Sequence, residues 1–243
     1  MINIEVCIDN ITSLFNAQSA GAGRIELCSA LALGGLTPSH ALISATLKHA
    51  QLPIYAMIRP RDGDFLYSDF EIEMMHKEIY HARKLGVQGV VFGVLNENAG
   101  VDLDVLRSLM QESKGLGVTF HRAIDCVADM DDALDKILSA GCERILTSGR
   151  ASNALTGIET IKHMVSRTQG RLSVMAGAGV GAHNVEQIIK QTGIREVHFS
   201  AKEQQFSAMK KIAGCGSLNE FTQISVASPL KIKALKEAIV KME

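Results

Sequence analysis

Short apolar runs recur along the chain, and the stretches between them carry apolar residues at helical spacing. The runs at 2–8, 23–28, 54–59, 88–94, 117–121, 143–148, 172–177 and 195–200 predict strands. The stretches 10–20, 38–50, 68–86, 102–114, 129–140, 153–169, 182–192 and 229–242 predict helices. Strict alternation implies right-handed βαβ crossovers and a parallel sheet. Eight units consume nearly all 243 residues, which predicts an α/β, TIM-like (β/α)8 barrel as one domain over 1–243. A doubly wound open sheet also alternates, but its strands are apolar on both faces.

These strands are apolar on one face only. Ile2, Ile4 and Val6 alternate with Asn3, Glu5 and Cys7, and Ile25 and Leu27 with Arg24, Glu26 and Cys28. Val118 and Phe120 alternate with Thr119 and His121, and Val197 and Phe199 with Glu196, His198 and Ser200. With period two, the apolar set faces the helices and the polar set fills the lumen. Buried charge is costly unless paired. The lumen is therefore either a network, with Glu5 and Glu26 paired to Arg24 or Arg59, or open to water at one end. The 28 residues between Ser200 and Pro229 exceed a usual βα loop and modify the C-terminal part of the barrel. Phe206, Met209, Cys215 and Phe221 predict that this segment (201–228) packs, over a barrel end or against another copy.

Composition narrows the classes. The 25 Lys+Arg against 26 Asp+Glu argue against a nucleic-acid binder. No uncharged apolar run reaches the ~18 residues of a membrane span, and Met1–Asn10 lacks a signal-peptide pattern. The expectation is a cytoplasmic protein with no membrane partner, whose five cysteines are thiols.

Barrel chemistry forms at strand C-terminal ends. Cys7 and Cys28 end adjacent strands, so they are either buried apolar thiols or a ligand pair for a soft ion such as Cu(I), whereas zinc needs His121 or His198 to join. Arg59 and Arg61 flank a proline and predict either a clamp for a carboxylate or phosphate or pairing with Asp62 and Asp64. His121, Arg122 and Asp125 cluster at one strand end, with His121 a general base, a metal ligand or a structural imidazole. Gly177 and Gly179 open a helix, as an anion loop or a tight turn. Ser148, His198 and Ser200 complete the polar strand ends, and Cys126, Cys142 and Cys215 read as core or surface thiols.

Together these segments resemble the CutC copper homeostasis family, through Glu5–Cys7, Arg24–Cys28, Gly34–Ser39, Arg59–Phe65, Thr119–Asp125, Leu146–Gly149, Met175–Val180 and Glu196–Ala201. The resemblance implies a TIM-like barrel with a modified C-terminal part, a cytosolic homodimer, and copper, Cu(I), held by Cys7 and Cys28. Asp62 replaces a glycine usual in the family, and Met209-Lys210-Lys211-Ile212 replaces a basic-aromatic run. The family name assigns no reaction. The alternative is a barrel enzyme acting on a small anionic or phosphorylated metabolite, with Arg59, Arg61, Arg122, Ser148, Gly177, Gly179, His198 and Ser200 binding it, His121 or Glu26 moving a proton and Asp125 orienting.

Overall fold

The strands β1 (Asn3–Ile8), β2 (Arg24–Leu27), β3 (Ile54–Met57), β4 (Gly89–Phe92), β5 (Gly117–Phe120), β6 (Arg144–Thr147), β7 (Ser173–Ala176) and β8 (Glu196–Phe199) form a closed parallel barrel. The helices α1 (Ile11–Ala20), α2 (His40–His49), α3 (Asp69–Leu85), α4 (Leu103–Glu112), α5 (Met130–Ala140), α6 (Ile158–Thr168), α7 (Val185–Thr192) and α8 (Pro229–Val240) surround it. The computed structural model describes residues 2–209 and 222–242. Closure comes from β8 pairing with β1, with Glu5 beside His198, while β2 on the other side sets Cys7 beside Glu26.

Local chemistry explains the punctuation. Asn10 caps α1 by accepting the Ser13 N–H, and Ser68 with Glu71 forms a reciprocal capping box on α3. Strands β2 to β8 are only four residues long, shorter than their apolar runs suggest. The last residue of each polar-faced run has left the ladder: Cys28, Arg59, His121, Ser148 and Ser200 all follow a strand end. Outward side chains such as Val6, Ile25, Ile54, Phe92 and Phe120 are fully buried in one cluster with Leu14, Met75, Ile79, Leu106 and Ile188 of the helices. Burying each such side chain contributes about 1.5–3 kcal/mol.

The lower lumen is a closed ionic network. Arg24 Nε donates to the fully buried Glu5, and its Nη2 lies 2.5 Å from Glu196 Oε2. Arg144 Nε reaches the same Glu196 oxygen at 3.0 Å, and its Nη1 pairs with Glu143. The Tyr55 ring lies close to both guanidiniums, its centroid 5.1 Å from Arg24 and 5.2 Å from Arg144, and its hydroxyl donates to Glu143 at 2.8 Å. Glu5 pairs with Arg24 as the pattern suggests; Glu26 instead bonds His198.

Tyr55 fits because Gly89 and Gly117 flank it. A Cβ at Gly89 would sit 2.2 Å from Tyr55 Cε1, and one at Gly117 2.2 Å from its hydroxyl. Because a Cβ would meet the ring itself, Gly89→Ala is expected to destabilise by about 1–3 kcal/mol in urea unfolding. A change below measurement error would show that the ring is free to move.

After β8 the chain forms an antiparallel hairpin of β9 (Lys202–Phe206) and β10 (Gln223–Ala227). Its base is anchored: Asn10 Nδ2 donates to Ser225 O, Asn16 Nδ2 to Ala227 O, and Ala227 N–H to Ser13 Oγ. Phe206 and Met209 do not pack over the barrel end, since they are 79% and 63% exposed, which leaves a face against another copy as the remaining form of that expectation. Every residue of β9 is exposed, while burial in β10 is complete only at Val226 and Ala227, near the barrel. Cys215 and Phe221 lie outside the described residues. Cys142 is buried, and Cys126 is exposed at the barrel mouth.

Candidate functional site

A cavity of about 740 Å³ opens at the C-terminal end of the barrel. Strand direction dictates this position, because side chains just beyond the ladder point into the mouth. Cys7, Glu26, Arg59, His121, Arg122, Asp125, Gly179, His198 and Ser200 all line it. Cys28, Arg61, Ser148 and Gly177 do not.

The floor is a cluster of unlike donors. One ligand atom each from Cys7, Glu26 and His198 lies within 4.8 Å of the others. His198 Nε2 is 3.0 Å from Glu26 Oε2, and the Cys28 thiol donates to the same oxygen at 3.5 Å. The two thiols thus flank one carboxylate. Burial disfavours charge on Glu26, but His198 and the Cys28 thiol hold its carboxyl below the usual range. Burial and then Glu26 push the Cys28 thiol well up, so it stays protonated. Burial opposes a proton on His198, yet Cys7 and Glu26 raise it well above an ordinary imidazole. Cys28 also packs with Tyr55, Met57 and Val91 in a small apolar cluster inside the lumen.

His121 forms the second feature. Its Nδ1 accepts the Ala123 N–H at 3.2 Å, which leaves the proton on Nε2. Burial, reinforced by Arg59, lowers its pKa to about 4, so it is neutral near pH 7. A base this weak is poorly matched to neutral pH. The Phe65 ring covers it at 4.9 Å and lies 5.1 Å from the Arg59 guanidinium.

The arginines divide. Arg59 donates to the carbonyls of Leu33, Gly35 and Gly63 and stays in the mouth. Arg61 pairs with Asp64 at 2.8 Å and Glu71 at 2.6 Å, outside the cavity. Arg122 is held by Asp125 at 2.9 Å and by Ser148 Oγ at 2.9 Å. Asp125 orients it while also accepting N–H bonds from Ser148 and Arg150. Gly177 serves packing, since a Cβ there would lie 2.6 Å from Leu146 and 3.3 Å from His198. Gly179, at φ 71, takes a left-handed turn beside the mouth.

The sequence reading missed Lys202 and Lys231, which reach the rim from the hairpin and from the first turn of α8. Their signal was their position just after β8 and at the start of the last helix.

The CutC family model matches residues 2–203. The chain belongs to the CutC family. A CutC family protein of Photobacterium profundum is 54% identical over 98% of this chain and 99% of its own length. The structure described as a copper homeostasis protein CutC of Streptococcus agalactiae superposes with a TM-score of 0.78 at 34% identity, covering 82% of this chain and 98% of that one. A phosphoribosylanthranilate isomerase of Thermotoga maritima matches at TM-score 0.60 and 10% identity, over 99% of this chain and all of that one, and shares the barrel fold alone. The family match ends just after β8, so it contains every donor of the floor cluster but not α8.

Proposed function

We propose that this CutC family member serves copper homeostasis by binding Cu(I) at the floor of the barrel mouth. The observation that supports this reading is the Cys7, Glu26 and His198 set, whose ligand atoms lie within 4.8 Å of one another. The donor chemistry fits: thiolate and imidazole suit a soft, low-coordinate ion, and Cys28 and Met57 supply more sulfur nearby. Cys7 and His198 would hold the ion, His198 giving up to solvent the proton that Cys7 and Glu26 favour and Cys28 joining once its own proton is displaced. This refines the thiol-pair expectation, because Glu26 stands between the two cysteines. Reduced thiols suit a cytoplasmic setting, and the resemblance to the family favours a homodimer.

Competition against a Cu(I) chelator tests it. Cys7→Ser is expected to weaken Cu(I) binding about 100-fold, and His198→Ala by a smaller factor. Unchanged affinity in both would sink the reading.

A second reading is carried by the cavity size. About 740 Å³ is far more than an ion occupies and falls within the range of small-molecule sites. Arg122, locked by Asp125 and Ser148, with Lys202 and Lys231 at the rim, favours an anionic metabolite. A phosphorylated ligand at saturating concentration would stabilise the protein by a few kcal/mol. A panel of phosphorylated metabolites giving no thermal shift would count against it.

A further inference from the structure

The copper reading leaves one donor of the floor unused. Cys7, Glu26 and His198 each offer a ligand atom within 4.8 Å of the others, and among the described residues no fourth His, Cys, Asp or Glu joins them. Cu(I) calls for the thiolate and the imidazole, whereas a carboxylate is a hard donor that it does not select. One sulfur, one nitrogen and one oxygen form instead a set from which a borderline ion such as Zn2+ draws its protein ligands. Charge points the same way. A Cys7 thiolate and an ionised Glu26 carry two negative charges, which a divalent ion cancels and a monovalent ion does not, and buried charge is costly unless compensated. Glu5, the other carboxylate near His198 at 3.9 Å, is already matched by Arg24.

The distances suit such an ion. Two ligands about 2.0–2.1 Å from a tetrahedral zinc stand roughly 3.3 Å apart, and His198 Nε2 is 3.0 Å from Glu26 Oε2. The pair needs to open by only a few tenths of an ångström. The surroundings hold the donors in place. The Cys28 thiol donates to Glu26 Oε2 at 3.5 Å, a bond from outside the set that orients the carboxylate. Gly177 leaves room for the imidazole, since a Cβ there would lie 3.3 Å from His198 Cβ. All three donors line the cavity at the mouth. Three protein donors and one open position distinguish a catalytic zinc site from a structural one. We infer that the floor is a three-ligand site for a divalent ion, Zn2+ first, held by Cys7, Glu26 and His198, with its fourth position open to the mouth for water or an anionic group. Seating the ion releases the His198 proton to solvent, and the ion takes over the balancing of Glu26. This goes beyond both readings above: it shares Cys7 and His198 with the copper reading and adds Glu26.

The probe is Co2+, which replaces Zn2+ in such sites and reports its ligands by colour. The full-length protein, stripped with a chelator and kept reduced, is titrated with it. A single equivalent is expected to give the strong visible bands of a four-coordinate ion and a thiolate charge-transfer band in the near ultraviolet, and Zn2+ is expected to abolish both. The charge-transfer band is expected to be lost in Cys7→Ser and kept in Cys126→Ser. Glu26→Gln is expected to weaken Zn2+ binding at least about 10-fold while Cu(I) affinity stays within about twofold. Azide is expected to change the visible bands by taking the open position. Weak six-coordinate bands without charge transfer overturn the proposal, and so does a Glu26→Gln variant with wild-type Zn2+ affinity. Visible bands that azide leaves unchanged would mean that a protein group fills the fourth position, which overturns the open site. A failed Cu(I) competition beside an intact cobalt spectrum would sink the copper reading alone.

Discussion

Arg24→Met is expected to destabilise the protein by about 3–5 kcal/mol, because it removes one partner from a buried charge network. The guanidinium is the cation bonded to Glu5 and one of two that share Glu196. Glu5 is fully buried, and burial already raises its pKa against the pull of Arg24. Without Arg24 it must take up a proton or remain an unpaired charge. Methionine keeps the length of the side chain and some contact with Tyr55, so lost electrostatics dominate over lost volume. Adding Glu5→Gln to Arg24→Met removes the stranded charge and is expected to recover part of the loss. Urea unfolding of the wild type, the single variant and the double variant measures this. A loss below about 1 kcal/mol for the single variant would show that the network is hydrated rather than sealed.

The second large effect is a pH dependence carried by His121. Its pKa falls from 6.5 to about 4 in the folded protein, chiefly through burial and then through Arg59, with Glu26 opposing and Arg122 adding. The unfolded chain therefore binds the proton first on acidification. Above pH 6.5 this group contributes no acid penalty; between about 6.5 and 4 the folded state progressively loses about 3 kcal/mol, and below 4 the loss levels off. His198, whose pKa is raised, acts in the opposite sense, with stability present at low pH and lost as pH rises through its folded value. A comparison that keeps His198 constant isolates the effect. The stability of His121→Asn relative to wild type is expected to improve by about 3 kcal/mol between pH 7 and pH 4. Parallel curves for the two proteins would mean that folding leaves the His121 pKa unshifted.

Much of this architecture was legible from period-two patterning. Glu5, Arg24, Thr119 and Glu196 fall on the lumen face because their apolar neighbours face the helices. What the pattern could not show is which lumen residues meet. Cys7 looked paired with Cys28 because their strands are consecutive. Barrel closure, however, brings β8 beside β1, so His198 meets Glu26 across 172 positions of sequence. Period two also stops where the strands stop. Arg59 and Arg61 share a loop, yet one turns to backbone carbonyls in the mouth and the other to Glu71 on α3. Side-chain direction in a loop depends on its turns, which carry no simple repeat. Phe206 and Met209 show another limit: their apolar character does not tell packing on the chain's own barrel, which the structure lacks, from packing against another copy.

The ring of Tyr55, close to two guanidiniums and with Gly89 and Gly117 leaving it room, fills the lumen beneath the mouth. Among the described residues, traffic to the thiol floor therefore runs past the rim formed by Arg122, Lys202 and Lys231. On the proposed function, an ion held at Cys7 would have to enter before any organic occupant above it and leave after that occupant, so its exchange would be timed at the rim as well as by the sulfur bond.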